Sequence, residues 1–374
     1  MTSFTLTDEQ LECRDLARDF CQKRVFPVTR KLDEEGLPDD LIEEMANLGY
    51  LGCSIDTEYG GMGLDPLAVS CIIEEFAKAN AGLATLLAAH LSLGCKTMEL
   101  HGSDDQKKKY LPLMAKGAIT SFCLTEPNAG TDVLSIKAKA ATEGDHYVLS
   151  GEKQFITSAD IAKFFMVFCK TDKGPTCFIV DGDSKGLTVA PPEKKLGIRS
   201  SKTCPVHFED VTVPAENMIG QPGKGFRVAL SVLDYGRLGV AAGALGIAEQ
   251  AFAEAVDYTQ NRVQFNQSIS SFQATQFKFA DMRIDIDASR YLLYHAIAVE
   301  MSGGRFSIEA AKAKLKASET ASAVADENIQ MHGGYGYTQD YNAERLWRDA
   351  RITRIYEGTS EAMRMIVGGN CVKK

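Results

Sequence analysis

Apolar residues recur every three or four positions in two parts of the chain, a spacing typical of helices that pack on a core. The first helix starts at a capping box formed by Thr7 and Gln10 and is predicted to end at Pro27. A second helix is predicted over 39–48. The segment 81–94 is apolar on nearly all sides but shorter than the roughly 20 residues that a membrane span needs. It is therefore predicted to be a helix buried inside the protein.

From residue 119 the apolar runs become short and are separated by Gly, Pro, Asn and Asp, which is typical of β-structure. Strands are predicted at 120–124, 147–149, 164–168, 177–180, 206–208 and 211–214. After the turn 222–225 the helical period returns in long alanine-rich segments, at 226–261, 273–302 and 308–331. Long helices of this kind are expected to pack as a bundle.

These patterns predict an α+β multidomain protein. The expected domains are an N-terminal α-helical domain at 1–118, a middle β-domain at 119–224 and a C-terminal α-helical bundle at 225–374.

Composition narrows the function classes. The 374 residues are 45% apolar, enough for two or three domains with substantial cores. A net charge of −9 argues against nucleic-acid binding and gives no reason to expect attraction to anionic membranes. The ten cysteines contain no Cys-x-x-Cys pair and the six histidines are scattered, so no metal site is predicted. The start of the chain has no leader-like pattern, and a cytoplasmic protein without membrane insertion is expected, or a mitochondrial-matrix protein if the source is eukaryotic.

The strongest candidate for chemistry is Glu357. It is followed by Gly358, which permits a tight turn, and by Thr359 or Ser360 as the cap of another helix. A carboxylate fixed beside apolar neighbours such as Tyr356 has its charged form disfavoured, and so can act as a general base near neutral pH. Most glutamates beside a glycine are solvated turn residues, so this assignment needs further support.

The glycine clusters do not form a recognised nucleotide motif. The stretch 220–225 has the spacing of neither a phosphate loop nor a dinucleotide fingerprint, and 333–336 closes a helix where a fingerprint would open one. A dinucleotide would have to be held in another way.

Six stretches, in their order and spacing, resemble the acyl-CoA dehydrogenase family of flavoproteins over essentially the whole chain, and its short-chain, butyryl-CoA dehydrogenase-like members in particular. They are LTEPNAGTD at 124–132, GEKQFIT at 151–157, DYGR at 234–237, RVQF at 262–265, QMHGG at 330–334 and IYEGT at 355–359. The resemblance implies an N-terminal helical domain, a middle β-barrel and a C-terminal four-helix bundle. It also implies a homotetramer, assembled as a dimer of dimers.

The implied reaction is the α,β-dehydrogenation of an acyl-CoA thioester. A base removes the α-proton, the β-hydrogen leaves as hydride to FAD, and an electron-transferring flavoprotein takes the electrons. The resemblance makes Glu357 the base and its own backbone N–H a donor to the enolate oxygen. Relatives specialised for branched or very long chains take the base from the position of Gly236, which has no side chain here. A short-chain or small cyclic acyl group is therefore expected.

The same resemblance assigns the binding residues. Those implied for FAD are Phe122, Leu124, Thr125, Thr131, Phe155, Thr157, Arg262, Phe265, Gln273, Gln330, Gly333, Gly334, Thr359 and Glu361, with the set from Arg262 to Gly334 holding the ADP half across a dimer interface. Those implied for substrate are Thr131, Asp234, Arg237 and Gly358. Read alone, each could be a core, cap or salt-bridge residue. Two positions depart from the family: Phe155, where tryptophan is common, and Asn266, where glycine is usual.

Several alternatives stay open. The same machinery could run as an enoyl-CoA reductase or as an acyl-CoA oxidase, and a non-catalytic assembly protein that binds CoA or flavin is a further possibility. Acyl specificity is expected to depend on the residues at 84–93 and 240–243.

Overall fold

The structure is a computed structural model and describes residues 5–372. The interpretation of the chain start as free of a leader falls partly on residues 1–4, which lie outside the described residues. An N-terminal helical domain, a central β-domain and a C-terminal helical domain follow one another, which confirms the predicted fold class.

The N-terminal domain consists of short helices around an apolar core. They are α1 Asp8–Phe20, α2 Thr29–Glu35, α3 Asp39–Asn47, α4 Pro66–Ala79, α5 Ala81–Ala89, α6 Lys96–His101 and α7 Asp104–Ala115. The predicted capping box is present, because Thr7 Oγ1 accepts from the N–H of Gln10 and the Gln10 side chain accepts from the N–H of Thr7. The segment from α5 to Cys95 is buried, as predicted. His90 within it contacts the Leu51 carbonyl at 3.1 Å and accepts from the N–H of Thr120 at 3.2 Å, so it is a core histidine.

The central domain is one sheet of eight strands. They are β1 Thr120–Cys123, β2 Lys139–Glu143, β3 His146–Thr157, β4 Phe164–Thr171, β5 Gly174–Asp181, β6 Leu187–Val189, β7 Thr203–Pro214 and β8 Met218–Ile219. Hydrogen bonds join them in the order β6-β7-β3-β2-β4-β5-β8, and β1 pairs with β4 in parallel.

The sequence of strand β4 is apolar without interruption because the strand is buried on both faces. Phe164, Met166 and Phe168 point to a core shared with α7 and the first turns of the following domain, whereas Phe165 and Val167 point to a second core shared by β2, β3, β5 and β7. Because successive side chains alternate between faces, both faces of this strand are buried.

The C-terminal domain contains three long helices and two shorter ones. They are α8 Gly225–Asn261, α9 Gln273–Met301, α10 Ser307–His332, α11 Ala343–Ile352 and α12 Ser360–Cys371, with a small hairpin of β9 Val263–Gln264 and β10 Gln267–Ser268 between α8 and α9. The predicted long helices agree with α8, α9 and α10 to within one residue at each end. By length and composition α8 could cross a membrane, but 72% of its apolar window is buried inside the protein. That burial is typical of a central core helix.

The loop between β6 and β7 ties the three domains together. Ser200 Oγ donates to Asn80 Oδ1 at the start of α5 (2.6 Å), and the N–H of Ile198 donates to Asp349 Oδ1 of α11 (2.6 Å). Gly82 permits the close approach, since a Cβ there would lie 2.0 Å from Ser200 Oγ. The candidate site lies beside this junction.

Candidate active site

A fixed turn between α11 and α12 carries Glu357. Glu357 has φ of 52° and Gly358 has φ of 105°, and the N–H of Ser360 donates to the Arg354 carbonyl at 3.0 Å across the turn. Thr359 Oγ1 accepts from the N–H of Ala362 at 3.2 Å and so caps α12, as expected for one of the two candidate caps. A left-handed conformation is strained for a residue with a side chain, and its persistence here shows that the surroundings define the turn.

The Glu357 carboxylate is poorly solvated. Its Oε2 atom is sealed from solvent and has no hydrogen-bond partner among residues 5–372. Burial raises the pKa of Glu357 to about 7, and the nearby charges of Lys314 and Arg237 lower it in part. A carboxylate with that pKa exists in both protonation states near neutrality, which is what a general base requires.

Gly236 of α8 faces this carboxylate directly. A Cβ at Gly236 would lie 1.9 Å from Glu357 Oε2 and 3.1 Å from a methyl group of Leu93. The position that the carboxylate occupies is therefore compatible only with a residue that has no side chain at 236.

Helix α10 holds the Glu357 turn through three hydrogen bonds. Lys314 Nζ donates to the Gly358 carbonyl at 2.6 Å, and Ser318 Oγ donates to the Thr353 carbonyl at 2.9 Å. Ser360 Oγ donates to Glu319 Oε1 at 2.8 Å. These bonds fix the backbone on both sides of the base candidate.

A narrow apolar cavity opens beside Glu357. Its walls come from α4, α5, the β6–β7 loop, α8 and the Glu357 turn. They are formed by Ile73, Ala77, Ala81, Ala84, Thr85, Ala88, Ile198, Gly239, Val240, Gly243, Ile247, Tyr356 and Glu357. The residues expected to control acyl specificity contribute Ala84, Thr85, Ala88, Val240 and Gly243 to this wall. A Cβ at Gly243 would meet nothing within 4 Å.

Asp234 and Arg237, predicted to contact substrate, lie buried on α8. Arg237 Nη1 is 2.5 Å from Asp234 Oδ1, and Ser307 Oγ donates to Asp234 Oδ2. Arg237 Nε has no partner among the described residues. The Arg237 guanidinium is close enough to act on the charge of Glu357 but is largely neutralised by Asp234.

The segments predicted to line the flavin lie side by side. Ser121 Oγ donates to the Thr157 carbonyl at 2.7 Å, and the N–H of Gln154 donates to the Thr125 carbonyl at 2.8 Å. Lys153 Nζ donates to the Leu124 carbonyl at 3.2 Å and to Glu126 Oε1 at 2.8 Å. The ion pair of Lys153 and Glu126 is buried and anchors the loop that contains Thr125 and Thr131.

Exposure differs among these predicted flavin residues. Leu124 is buried in the core and Phe122 packs on Phe168 at a ring distance of 4.8 Å, so their side chains serve the core. Thr131 is exposed. Phe155 sits at φ of 59° on an irregular position of β3 and is 61% exposed, which presents an aromatic face outwards.

The residues predicted to hold the ADP half of the cofactor are all exposed on the isolated chain. They are Arg262, Phe265, Gln273, Gln330, Gly333 and Gly334. Phe265 and Asn266 have φ of 53° and 63° in the β9–β10 hairpin. Asparagine at 266 thus adopts the left-handed conformation that glycine adopts most easily, and Phe265 is left 87% exposed.

Sequence reasoning missed several contributors to the site, of which three matter most. Lys314 could have been noticed as a lysine among the buried alanines of α10, at Ala310, Ala313 and Ala317. Gly239 carries no local signal. Ile198 is brought to the cavity by a loop from another domain and adopts a positive φ of 44°.

Sequence profiles of one family match nearly the whole chain: "Acyl-CoA dehydrogenase, N-terminal domain" at residues 7–118, "middle domain" at 121–211 and "C-terminal domain" at 223–371. The short-chain specific acyl-CoA dehydrogenase of Clostridium acetobutylicum is 44% identical over 98% of both chains. The 3-(aryl)acrylate reductase of Clostridium sporogenes is 41% identical over 98% of this chain and 99% of the relative.

Solved structures of similar proteins have the same fold as this chain. The butyryl-CoA dehydrogenase of Megasphaera elsdenii has a TM-score of 0.97 at 42% identity, with 100% of both chains covered. A chain from the structure of the electron-transferring flavoprotein of Acidaminococcus fermentans has a TM-score of 0.98 at 42% identity, again with 100% of both chains covered.

Proposed function

The chain belongs to the acyl-CoA dehydrogenase family, and we propose that it oxidises a short-chain or small cyclic acyl-CoA to the enoyl-CoA with FAD as its cofactor. The observation that carries this proposal is the Glu357 carboxylate. It lies on a fixed turn, has one oxygen without a hydrogen-bond partner, and opens onto an apolar cavity whose walls come from three domains.

Glu357 takes the proton from the carbon next to the thioester carbonyl. That proton is far too weakly acidic for a free carboxylate, so the developing negative charge on the carbonyl oxygen has to be stabilised as well. Among the residues of the described chain nothing accepts a hydrogen bond from the backbone N–H of Glu357. This N–H is therefore available to donate to that oxygen. The small and apolar cavity wall excludes water and keeps the carboxylate basic.

The residues present fit FAD by the chemistry of their donor groups. Thr125, Thr131 and Thr157 offer hydroxyl groups, Phe155 offers an exposed aromatic face, and Arg262 offers a planar fork for phosphate oxygens. The open backbone at Gly130, Gly333 and Gly334, where a Cβ would meet nothing within 4 Å, permits close approach of a ligand. When bound, FAD supplies the hydride acceptor that the side chains lack. Gln273, Gln330, Thr359 and Glu361 complete the residues that we assign to it.

Asp234, Arg237 and Gly358 are proposed to position the acyl-CoA around Glu357. Arg237 of α8, which is paired with Asp234, faces the Glu357 carboxylate, and Gly358 continues the Glu357 turn. Thr131, exposed on the anchored loop 125–131, would contact both the substrate and the cofactor.

A second copy of the chain is expected to complete the ADP site. Apolar side chains are exposed along α9, at Phe277, Ile284 and Tyr291, and at Phe265 in the preceding hairpin. An exposed apolar stripe of this kind favours self-association. We propose a homotetramer built as a dimer of dimers that works in the cytoplasm, with an electron-transferring flavoprotein as electron acceptor. Light scattering of the purified protein measures the number of copies.

Turnover of a panel of acyl-CoA thioesters tests the proposal. Purified yellow protein is assayed with propionyl- to octanoyl-CoA and with cyclic and aromatic acyl-CoAs, using an electron-transferring flavoprotein as acceptor. We expect the highest kcat/KM for a short-chain or small cyclic acyl group. A colourless protein that takes up no FAD, or one inactive with every thioester, would refute the proposal.

Reduction of an enoyl-CoA is the second candidate, and it is favoured by the similarity to the 3-(aryl)acrylate reductase. The same base would then return a proton to the α-carbon. A redox titration with saturated and unsaturated thioesters bound separates the two directions. If the flavin potential with the thioesters bound lies below that of the enoyl-CoA and acyl-CoA couple, the flavin passes electrons to the enoyl-CoA and reduction is the favoured direction.

A further inference from the structure

Lys314 is a buried cation without a carboxylate in contact. Its side chain is 0% exposed on a face of α10 that is rich in buried alanines, at Ala310, Ala313 and Ala317. Its ammonium group donates to the Gly358 carbonyl at 2.6 Å, and no carboxylate oxygen lies within 4.0 Å among residues 5–372. A lysine loses a large solvation free energy on burial, so one hydrogen bond to a carbonyl leaves most of that cost uncompensated.

Glu357 is the anion that the Lys314 charge can stabilise. Lys314 is faced by Glu357, by Glu319 of its own helix, by Glu361 of α12 and by Arg237 of α8. Burial lowers the pKa of Lys314 to about 8, and Glu357 is the strongest of the charges that raise it. Glu319 is already bound to Ser360 and to Arg354 (3.1 Å), and Glu361 is exposed.

Two cations face Glu357, and they differ in how free their charge is. Lys314 faces it from α10 and Arg237 faces it from α8. Tyr356, which precedes Glu357, also lies near enough for the carboxylate to raise its pKa. Because Arg237 is bound to Asp234 at 2.5 Å, Lys314 supplies the larger uncompensated positive charge.

We propose that Lys314 is a positioning residue for Glu357, which anchors the Glu357 turn through the Gly358 carbonyl and keeps the carboxylate anionic without bonding to it. This inference rests on the proposed function of Glu357 as base. The carbonyl bond directs the ammonium group to the backbone of the turn. A direct salt bridge would satisfy Oε2 and make Glu357 a weaker base, whereas a cation held at the carbonyl acts on the carboxylate only through its field.

The pH dependence of kcat/KM in two variants tests the proposal. Lys314→Met removes the charge and the donor, and Lys314→Gln removes the charge but keeps a donor. In both variants the acidic limb is expected to move up by about one pH unit or more, because an opposite charge nearby lowers a carboxyl pKa by about 1–3 units. At pH 7 a shift of one unit gives about a fivefold fall in kcat/KM, recovered near pH 9.

Lys316→Met is the matched control. Lys316 lies two residues further along α10, and its ammonium group pairs with Asp285 at 2.6 Å away from the site. The control is expected to keep the wild-type pH profile. A wild-type profile in Lys314→Gln would overturn the proposal, as would an equal shift in Lys316→Met. If Lys314→Met does not fold, Lys314→Gln decides.

Exchange of the α-hydrogens of acetyl-CoA with D2O gives a second readout. Acetyl-CoA has α-hydrogens but no β-carbon, so it can be deprotonated and cannot be oxidised. Mass spectrometry of the recovered thioester should show the same pH shift of exchange in both Lys314 variants. Wild-type protein that neither exchanges nor turns over any thioester would refute the proposed function. An active wild type with unshifted variants would refute only the role of Lys314.

Discussion

Two neighbouring lysine and glutamate pairs in this protein differ in how the carboxylate is bonded. In the β-domain, Lys153 Nζ contacts Glu126 Oε1 at 2.8 Å, and the N–H groups of Lys137 and Ala138 donate to the same carboxylate. In the C-terminal domain, Lys314 bonds to a carbonyl, and Glu357 keeps one buried oxygen without a partner among residues 5–372.

The difference separates a structural pair from the pair that we propose to be reactive. A buried carboxylate with all its hydrogen bonds made is a stable anchor, here for the loop after β1. A buried carboxylate with an unsatisfied oxygen is costly to fold but remains able to accept a proton. In the second pair, the charge of Lys314 offsets part of the cost of burying the Glu357 carboxylate. Because Lys314 donates to the Gly358 carbonyl, it leaves Glu357 Oε2 free to accept a proton.

The largest expected effect comes from removing the reactive carboxylate. Glu357→Gln keeps the size of the side chain and removes the proton acceptor, so turnover should fall by about 10⁴-fold or more. Flavin absorbance and ligand binding should stay close to wild type, as measured by spectral titration. Turnover near the wild-type value would show that Glu357 is not the base.

Breaking the structural pair should act on stability. Lys153→Met leaves Glu126 buried beside an uncharged side chain, which typically costs about 3–5 kcal/mol. Thermal and denaturant unfolding measure this loss, and weaker FAD binding should accompany it because the pair anchors the loop at 125–131. Lys139→Met, at an exposed position of β2, is the control and should unfold like the wild type. Equal stability of the two variants would contradict the difference between the pairs.

A methyl group at Gly236 should disturb only the reactive pair. Gly236→Ala would place a Cβ 1.9 Å from Glu357 Oε2, so the carboxylate must move. A displacement of about 1 Å at a reacting group costs on the order of 10²-fold in rate. Steady-state kcat should fall accordingly while the melting temperature stays within a few degrees. In Gly243→Ala the new Cβ meets nothing within 4 Å, so kcat with a short acyl group should be unchanged.

The smallest expected effect is on stability as a function of pH. The pKa of Glu357 is about 7 in the folded protein, above its ordinary value, so the folded state holds a proton that the unfolded state releases. Wild-type stability relative to Glu357→Gln should therefore fall as pH rises from about 4.5 to 7, by about 1–2 kcal/mol. Denaturant titrations at pH 5 and pH 8 measure the difference. Parallel curves would contradict the raised pKa.

Local patterns predicted most of the secondary structure because their signals are short in range. The capping box at Thr7 and the helical periods of α8, α9 and α10 are examples. The strand β2 was missed because only Ala140 among its five residues is buried, so it lacks the apolar alternation of a strand. The domain limits remain a prediction, and so do the roles of the individual site residues.

Contacts between distant segments were beyond the sequence reasoning. The bond from Ile198 to Asp349 joins residues 151 positions apart, and no local pattern specifies it. The same holds for the parallel pairing of β1 with β4 and for the lysine beneath the Glu357 turn. Glu357 was predicted from a turn glycine, a helix cap and the family resemblance, whereas Lys314 matters only through what the fold places beside it.

The cavity wall also bears on how the range of accepted acyl groups could change during evolution. Gly239 and Gly243 line the cavity from α8, and the second of these has free space where a side chain would begin. Alanine is favoured over glycine inside a helix by about 0.5–1 kcal/mol. Replacement of Gly243 by alanine during evolution would thus make the cavity smaller by one methyl group and also stabilise α8. A narrower range of acyl groups would therefore not reduce the stability of the fold.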